Sequence, residues 1–129
     1  MNNLDKESIT GISALLIHAA KIDEIYSEHE KSLVKDFIKS YLENDDVDEV
    51  LKKAEEMEKN SNQLLNFTNI IKQNSMDVKK DILEHLWKVV ISDKTVDQYE
   101  SNLLRRICGL IYVPDKISAE IKLKLLNSK

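Results

Sequence analysis

The fold is decided by one stretch, residues 86–110, which reads LWKVVISDKTVDQYESNLLRRICGL. It starts with the apolar end of a helix, continues through a short acidic loop, and ends in a second helix that Asp97 opens as a capping residue. Seventy residues earlier the chain has the same arrangement, around Asp23 and Ser27. The sequence therefore contains two related helix–loop–helix segments.

The repeat preserves capping positions and apolar positions together. A shift of seventy residues pairs Ser27 with Asp97 and Glu30 with Glu100. The apolar pairs are Leu16 with Leu86, Leu33 with Leu103, Val34 with Leu104, and Phe37 with Ile107. Two copies are too few for a solenoid, which needs about three stacked units. We therefore expect two pseudo-symmetric helix–loop–helix halves in one compact bundle, with their acidic loops in equivalent positions.

Composition favours an all-α fold in a single domain, residues 1–129. The chain has two glycines and one proline, and 42% of its residues are hydrophobic. Long helices joined by short polar segments are therefore favoured over hairpins. The spacing of apolar residues predicts about seven helices and no strand, at residues 5–22, 27–42, 47–59, 63–72, 76–91, 98–111 and 115–126.

Local signals predict how several of these helices begin and pack. Ser27 and Glu30 have the spacing of a capping box, and Asp115, directly after Pro114, is expected to cap the last helix. That helix would bury one apolar stripe, formed by Ala119, Ile121, Leu125 and Leu126. The third helix is expected to be peripheral, with a solvated acidic face formed by Glu55, Glu56 and Glu58.

Charge and cysteine content exclude several classes of protein. The net charge is −4, and the 19 basic and 23 acidic residues are mixed along the chain, which argues against a nucleic-acid binder with a concentrated basic face. The single cysteine, Cys108, cannot form an internal disulfide and is expected to be an unreactive core residue.

Trp87 is expected to pack against the second acidic loop or against Phe67. The apolar runs are too short to span a bilayer, so we expect a cytoplasmic protein without membrane insertion.

The two acidic segments, with residues 64–68 and the helices around them, resemble a known family. They read DEIYSEHE over residues 23–30 and DKTVDQYE over residues 93–100. From about residue 9 to residue 115 the chain resembles the TerB-like (tellurite resistance protein B) family, in its small bacterial members. That family has Ala-Asp-Gly, an apolar residue, a capping Ser or Asp, and a Glu seven residues after the first Asp. The pattern typically occurs twice in one chain.

The resemblance implies an all-helical, pseudo-two-fold bundle in the cytoplasm, without established catalysis. Acidic clusters of this family have been considered for divalent-cation binding and for contacts with partners. The chain departs from the family pattern at the glycine, where it has Glu24 in one segment and Lys94 in the other. Glycine would permit a left-handed backbone there, so either the loop closes differently or its function has weakened. Lys94 also places a cation beside the acidic cluster, which counts against a metal.

The acidic side chains have two interpretations. Oxygen ligands suit Ca²⁺ or Mg²⁺, and two equivalent ligand sets would result: Asp93, Asp97 and Glu100 in the second segment, and Asp23, Glu24 and Glu30 in the first. Alternatively, Asp97 and Glu100 are a helix cap and its partner, favoured by the helix dipole. We favour capping over coordination, although one carboxylate can do both.

The remaining motifs argue against catalysis. His18, His29 and His85 lack the His-x-x-x-His spacing of a metal site, and no glycine-rich phosphate loop is found. We therefore expect a non-enzymatic helical module, without a cofactor other than a divalent cation, that contacts another protein or itself in a stress-response or tellurite-resistance-related context. The alternative is a divalent-cation-binding domain that uses residues 23–30 and 93–100. A hydrolase that uses the same carboxylates is the third hypothesis.

Overall fold

Seven α-helices make up most of the chain that this computed structural model describes, which comprises residues 5–21, 27–42, 47–60, 65–91 and 98–127. Side chains are described over the same ranges except at 65–66 and 98–101. The helices are α1 (Lys6–Ala20), α2 (Glu28–Tyr41), α3 (Val47–Asn60), α4 (Leu65–Lys72), α5 (Met76–Ile91), α6 (Gln98–Leu110) and α7 (Asp115–Asn127). Within these ranges there is no strand. The prediction of an all-α fold with about seven helices is confirmed.

The sequence repeat corresponds to a repeat of helices. Helices α5 and α6 begin seventy residues after α1 and α2, respectively. Equivalent positions are buried in both copies: Leu16 and Leu86, Val34 and Leu104, Phe37 and Ile107. Since α1 packs against both α2 and α5, the two halves share one core. The same apolar pattern has therefore produced two helix–loop–helix halves of one bundle.

Helix α1 lies at the centre of the bundle. Every residue from 9 to 17 is buried, and the helix contacts α2, α3, α4 and α5. A helix that is buried all round must satisfy its own polar groups, and the Ser13 hydroxyl does so by donating to the Ile9 carbonyl at 2.7 Å. Gly11 allows α4 to approach closely, because a Cβ atom there would overlap the Ile70 Cδ1 atom.

Helix α3 covers α1 and α2, and its predicted solvated acidic face is exposed at Glu56 but not at Glu58. Its apolar stripe is buried as expected at Val47, Val50, Leu51 and Ala54. The Glu58 carboxylate, however, is only 11% exposed and accepts from Lys21 Nζ at 2.8 Å. Glu55 pairs with Lys31 of α2 at 3.6 Å. Glu55 and Glu58 therefore pair with cations of α2 and of the end of α1, respectively, whereas Glu56 is exposed to water.

Helix α6 ends one residue earlier than predicted, in a Schellman motif. The Val113 amide donates to the Cys108 carbonyl at 2.9 Å, and both residues are buried, which supplies the apolar contact typical of this motif. The intervening Tyr112 has φ = 61°. The motif turns the chain sharply from α6 into α7.

Helix α7 begins at residue 115, as predicted, but its capping residue and its buried face differ from the prediction. The Pro114 carbonyl accepts from the amides of Ile117 (3.0 Å) and Ser118 (3.4 Å), so Pro114 occupies the cap position and Asp115 is the first residue of the helix. Proline suits a helix start because it lacks an amide hydrogen to satisfy. The predicted stripe is wrong in half its members, since Ala119 and Leu126 are exposed. The inner face is formed by Ile117, Ser118, Ile121 and Leu125.

Candidate functional site

Most of the predicted metal ligands fall outside the described residues. Asp23, Asp93 and Asp97 lie there, as do Glu24 and the side chain of Glu100. That the two acidic loops occupy equivalent positions therefore stays a prediction. Among the described side chains, no group of three His, Cys, Asp or Glu residues is placed to hold a metal ion.

Glu30 is the predicted ligand that the structure describes, and it forms a helix cap. Its Oε1 atom accepts from the Ser27 amide at 2.9 Å, and its own amide donates to the Ser27 hydroxyl at 3.1 Å. The predicted capping box is thus confirmed. The Glu30 side chain is also buried. These hydrogen bonds support the capping interpretation over coordination for this residue.

A polar cluster lies between α2 and α5. The Tyr41 hydroxyl donates to Asp81 Oδ2 at 2.6 Å, and Asp81 Oδ1 lies 3.8 Å from His85 Nε2. The Phe37 ring packs against both the Tyr41 and the His85 rings. Burial, with the hydrogen bond and charge of Asp81, raises the pKa of Tyr41, and burial lowers the pKa of His85 despite the nearby Asp81 carboxylate. Both side chains therefore connect the two halves in their neutral forms at neutral pH.

Cys108 is a core residue, as predicted. It is fully buried and free. Burial raises the pKa of its thiol more than the nearby Ser118 hydroxyl lowers it. Because the thiolate is the nucleophilic form, this position does not suit nucleophilic chemistry.

Trp87 packs against α7, a contact that the sequence did not indicate. Its indole Nε1 donates to the Ser118 hydroxyl at 2.9 Å, and the Lys122 ammonium lies 5.2 Å from the centre of the indole ring. These side chains line a cleft between α5, α6 and α7, together with Arg105, Asp115 and Ala119. The tryptophan is buried beneath this cleft.

A second surface feature surrounds Tyr112, whose side chain is 69% exposed. The ammonium groups of Lys72 and Lys79 lie 5.8 Å and 6.0 Å from the centre of its ring. Met76, which is also exposed, precedes Lys79 by three residues and so lies on the same face of α5. We call these four residues, Lys72, Met76, Lys79 and Tyr112, the Tyr112 surface.

The Tyr112 surface brings together the ends of three helices. Lys72 is the last residue of α4, Met76 is the first residue of α5, and Tyr112 follows α6. Among the described residues, neither lysine has a carboxylate within 4.0 Å. The sequence carried one signal for this surface: Tyr112 stands two residues before Pro114, where a helix C-terminus is expected. The lysines were not predictable, since α4 and α5 reach the site through tertiary packing.

In the described parts of the chain, each helix is too short or too polar to cross a lipid bilayer. A comparison with protein-family models gives a match to one family, described as tellurite resistance protein TerB, over residues 10–123. A search of curated proteins and a search of solved structures each gave no match.

Proposed function

Because the chain belongs to the TerB family of tellurite resistance proteins, with nearly its whole length matched, we propose that it is a non-enzymatic module that binds another protein in a tellurite-resistance-related process. We place this process in the cytoplasm. The contact with the partner forms at the Tyr112 surface.

The observation that carries this proposal is the backbone conformation of Tyr112. Its φ of 61° lies in the left-handed region, which costs a residue with a Cβ about 1–2 kcal/mol and costs glycine almost nothing. The bundle gains little core from the residue in return, since the ring is mostly exposed. Strained residues of this kind concentrate at functional sites, and exposed tyrosine is frequent among the residues that dominate protein interfaces.

The chemistry of the surface favours an acidic partner segment. Lys72 places a half-buried positive charge beside the tyrosine ring, and Lys79 places a second, buried one there, whereas the chain as a whole has a net charge of −4. A local positive patch on an acidic protein orients an approaching acidic segment and rejects basic ones. Met76 and the Tyr112 ring then supply apolar contact area for that segment.

Substitution of Tyr112 distinguishes a functional role of its side chain from an effect on the stability of the fold. We expect Tyr112→Gly to leave the free energy of unfolding unchanged or to raise it by up to about 1 kcal/mol, because relief of the left-handed strain offsets the loss of the exposed ring contacts. The same variant should fail to restore tellurite resistance to cells that lack the protein. Resistance is measured as growth in tellurite, and stability as the midpoint of urea unfolding.

Tyr112→Phe is the matched control, because it keeps both the ring and the strain. It should restore resistance as the wild type does. Wild-type resistance with Tyr112→Gly would overturn the proposal, as would loss of resistance accompanied by unfolding in both variants.

The second proposal is a divalent-cation site in loops 23–30 and 93–100. It is supported by the duplication, which follows each of two equivalent core helices with an acidic segment. Since Glu30 is engaged in the capping box, the ligands would come mainly from Asp23, Asp93 and Asp97. Titration with Ca²⁺, Mg²⁺ and Mn²⁺ while amide shifts are recorded tests this site. Saturable shifts confined to the two loops would support it, and their absence would remove it.

A further inference from the structure

The cleft beneath which Trp87 is buried is an open volume of about 250 Å³. Helix α5 contributes Trp87 as its floor, α6 contributes Arg105, and α7 contributes the opposite wall, formed by Asp115, Ser118, Ala119 and Lys122. A volume of this size admits a small ion with some of its water, since one water occupies about 30 Å³ in the liquid. The lining residues are mainly polar, so the cleft suits a charged ligand.

Among the described residues, two cations of the cleft lack the carboxylate partners that neighbouring lysines have. Lys88 and Lys124 each pair with Glu84, at 3.8 Å and 3.5 Å. Among the described residues, by contrast, Arg105 and Lys122 have no carboxylate within 4.0 Å. The Lys122 ammonium instead lies over the indole ring of Trp87. Within the part of the chain that the structure describes, no carboxylate is thus close enough to neutralise either cation directly.

We infer that this cleft binds a small oxyanion between the Arg105 guanidinium and the Lys122 ammonium. Arginine presents paired N–H groups that match two oxygens of such an ion, and lysine acts as a point charge. Asp115 in the same cleft reduces the net charge of the three ionised side chains to one positive charge, which favours a small oxyanion over a polyanion. This inference does not depend on the Tyr112 surface.

Trp87 makes the site directly observable, because it is the single tryptophan of the chain. The experiment titrates the full-length protein with sodium phosphate, sodium sulfate or sodium tellurite at constant ionic strength, and follows the indole N–H resonance. Tellurite is included because the family description names it. We expect a saturable shift of this resonance with at least one of the three ions, and the ion that binds most tightly identifies the ligand.

Substitutions then assign the binding to the cleft. Arg105→Gln and Lys122→Gln should each weaken binding by about tenfold, because each removes a charge-assisted hydrogen bond to the ion. Lys124→Gln is the matched control. It removes the same charge from the same helix, but Lys124 is outside the cleft and is paired with Glu84, so binding should not change.

The inference is overturned if none of the three ions gives a saturable shift. It is equally overturned if Lys124→Gln weakens binding as much as Lys122→Gln, because the effect would then come from general surface charge. Amide spectra of each variant establish that the fold is retained. These outcomes leave the proposed protein contact at Tyr112 unaffected.

Discussion

At the scale of the residue, Gly109 and Tyr112 occupy positions at the end of α6 that are the reverse of the usual pattern. Glycine is favoured at the left-handed residue that follows a helix, and is disfavoured inside the helix. Here Gly109 lies inside α6 with an ordinary helical backbone, and Tyr112 takes the left-handed position. Replacement of Gly109 by alanine, or of Tyr112 by glycine, therefore tests what each of these residues contributes to the protein.

Gly109→Ala should raise the free energy of unfolding by about 0.5–1 kcal/mol, which is the usual advantage of alanine over glycine in a helix. A Cβ atom at position 109 would meet no atom within 4 Å. Gly11→Ala is the matched comparison, because the new Cβ would overlap Ile70 and the neighbour would have to move. Urea unfolding measures both. A Gly109→Ala variant less stable than the wild type would contradict the described end of α6.

His85 should make stability depend on pH. Burial lowers the pKa of folded-state His85 below its ordinary value, and Lys88 acts in the same direction, while Asp81, Glu84 and Asp36 oppose them. The unfolded chain, with an ordinary histidine pKa of about 6.5, then binds more protons than the folded chain. The contribution of neutral His85 to the free energy of unfolding is complete well above pH 6.5 and is lost as the pH falls through that value. This loss levels off below the pKa of His85 in the folded protein.

The measurement is the free energy of urea unfolding between pH 8 and pH 5, compared between the wild type and His85→Gln. The wild type should lose more stability across the window around the unfolded pKa of about 6.5. Equal pH profiles for the two proteins would show that burial of His85 does not disfavour its protonation.

At the scale of the element, α3 is attached to α1 by ion pairs that differ in burial and in distance. Glu58 is 11% exposed and accepts from Lys21 at 2.8 Å, with His18 at 3.4 Å. Glu49 is 53% exposed and lies 3.5 Å from Lys6. Exposed pairs contribute little because water and salt screen them, whereas a partly buried carboxylate that has lost its water depends on its partners.

Glu58→Gln should therefore lower the free energy of unfolding by about 1–2 kcal/mol, and Glu49→Gln by about 0.5 kcal/mol or less. Both substitutions remove one negative charge from the same helix, so the general effect of charge is matched. Urea unfolding at low and high salt measures the difference. If the two variants were equally stable, the docking of α3 would not depend on the Glu58 contact.

Features of the helices that depend on local sequence signals were predictable, whereas features that depend on distant contacts were not. The predicted bounds of α5 agree with the structure, and the Ser27–Glu30 capping box forms as expected. The capping prediction failed at α7, where Pro114 and Asp115 both signal a helix start and the chain uses the proline. The inner face of α7 was also mispredicted. Ser118 is buried because Trp87 of α5 donates to it, and no local pattern reports that contact.

At the scale of the whole molecule, the duplication explains the fold but not the Tyr112 surface, which forms only through tertiary packing. Two copies of one apolar pattern form the halves around α1 and α5, so the all-α bundle was predictable from the sequence. Residues 23–26 and 93–97 of the acidic segments that the repeat emphasised lie outside the described residues, so a cation site there stays a prediction. The Tyr112 surface, in contrast, combines the ends of α4, α5 and α6, and its lysines meet the ring only after folding.

Photo-crosslinking in living cells tests whether the chain binds another protein at Tyr112. A photoreactive phenylalanine analogue replaces Tyr112, and the same analogue at the exposed Lys52 of α3 is the control. We expect one discrete protein adduct from position 112, which is lost on Lys72→Glu substitution and does not form from position 52. No adduct from position 112, or the same adducts from both positions, would contradict it.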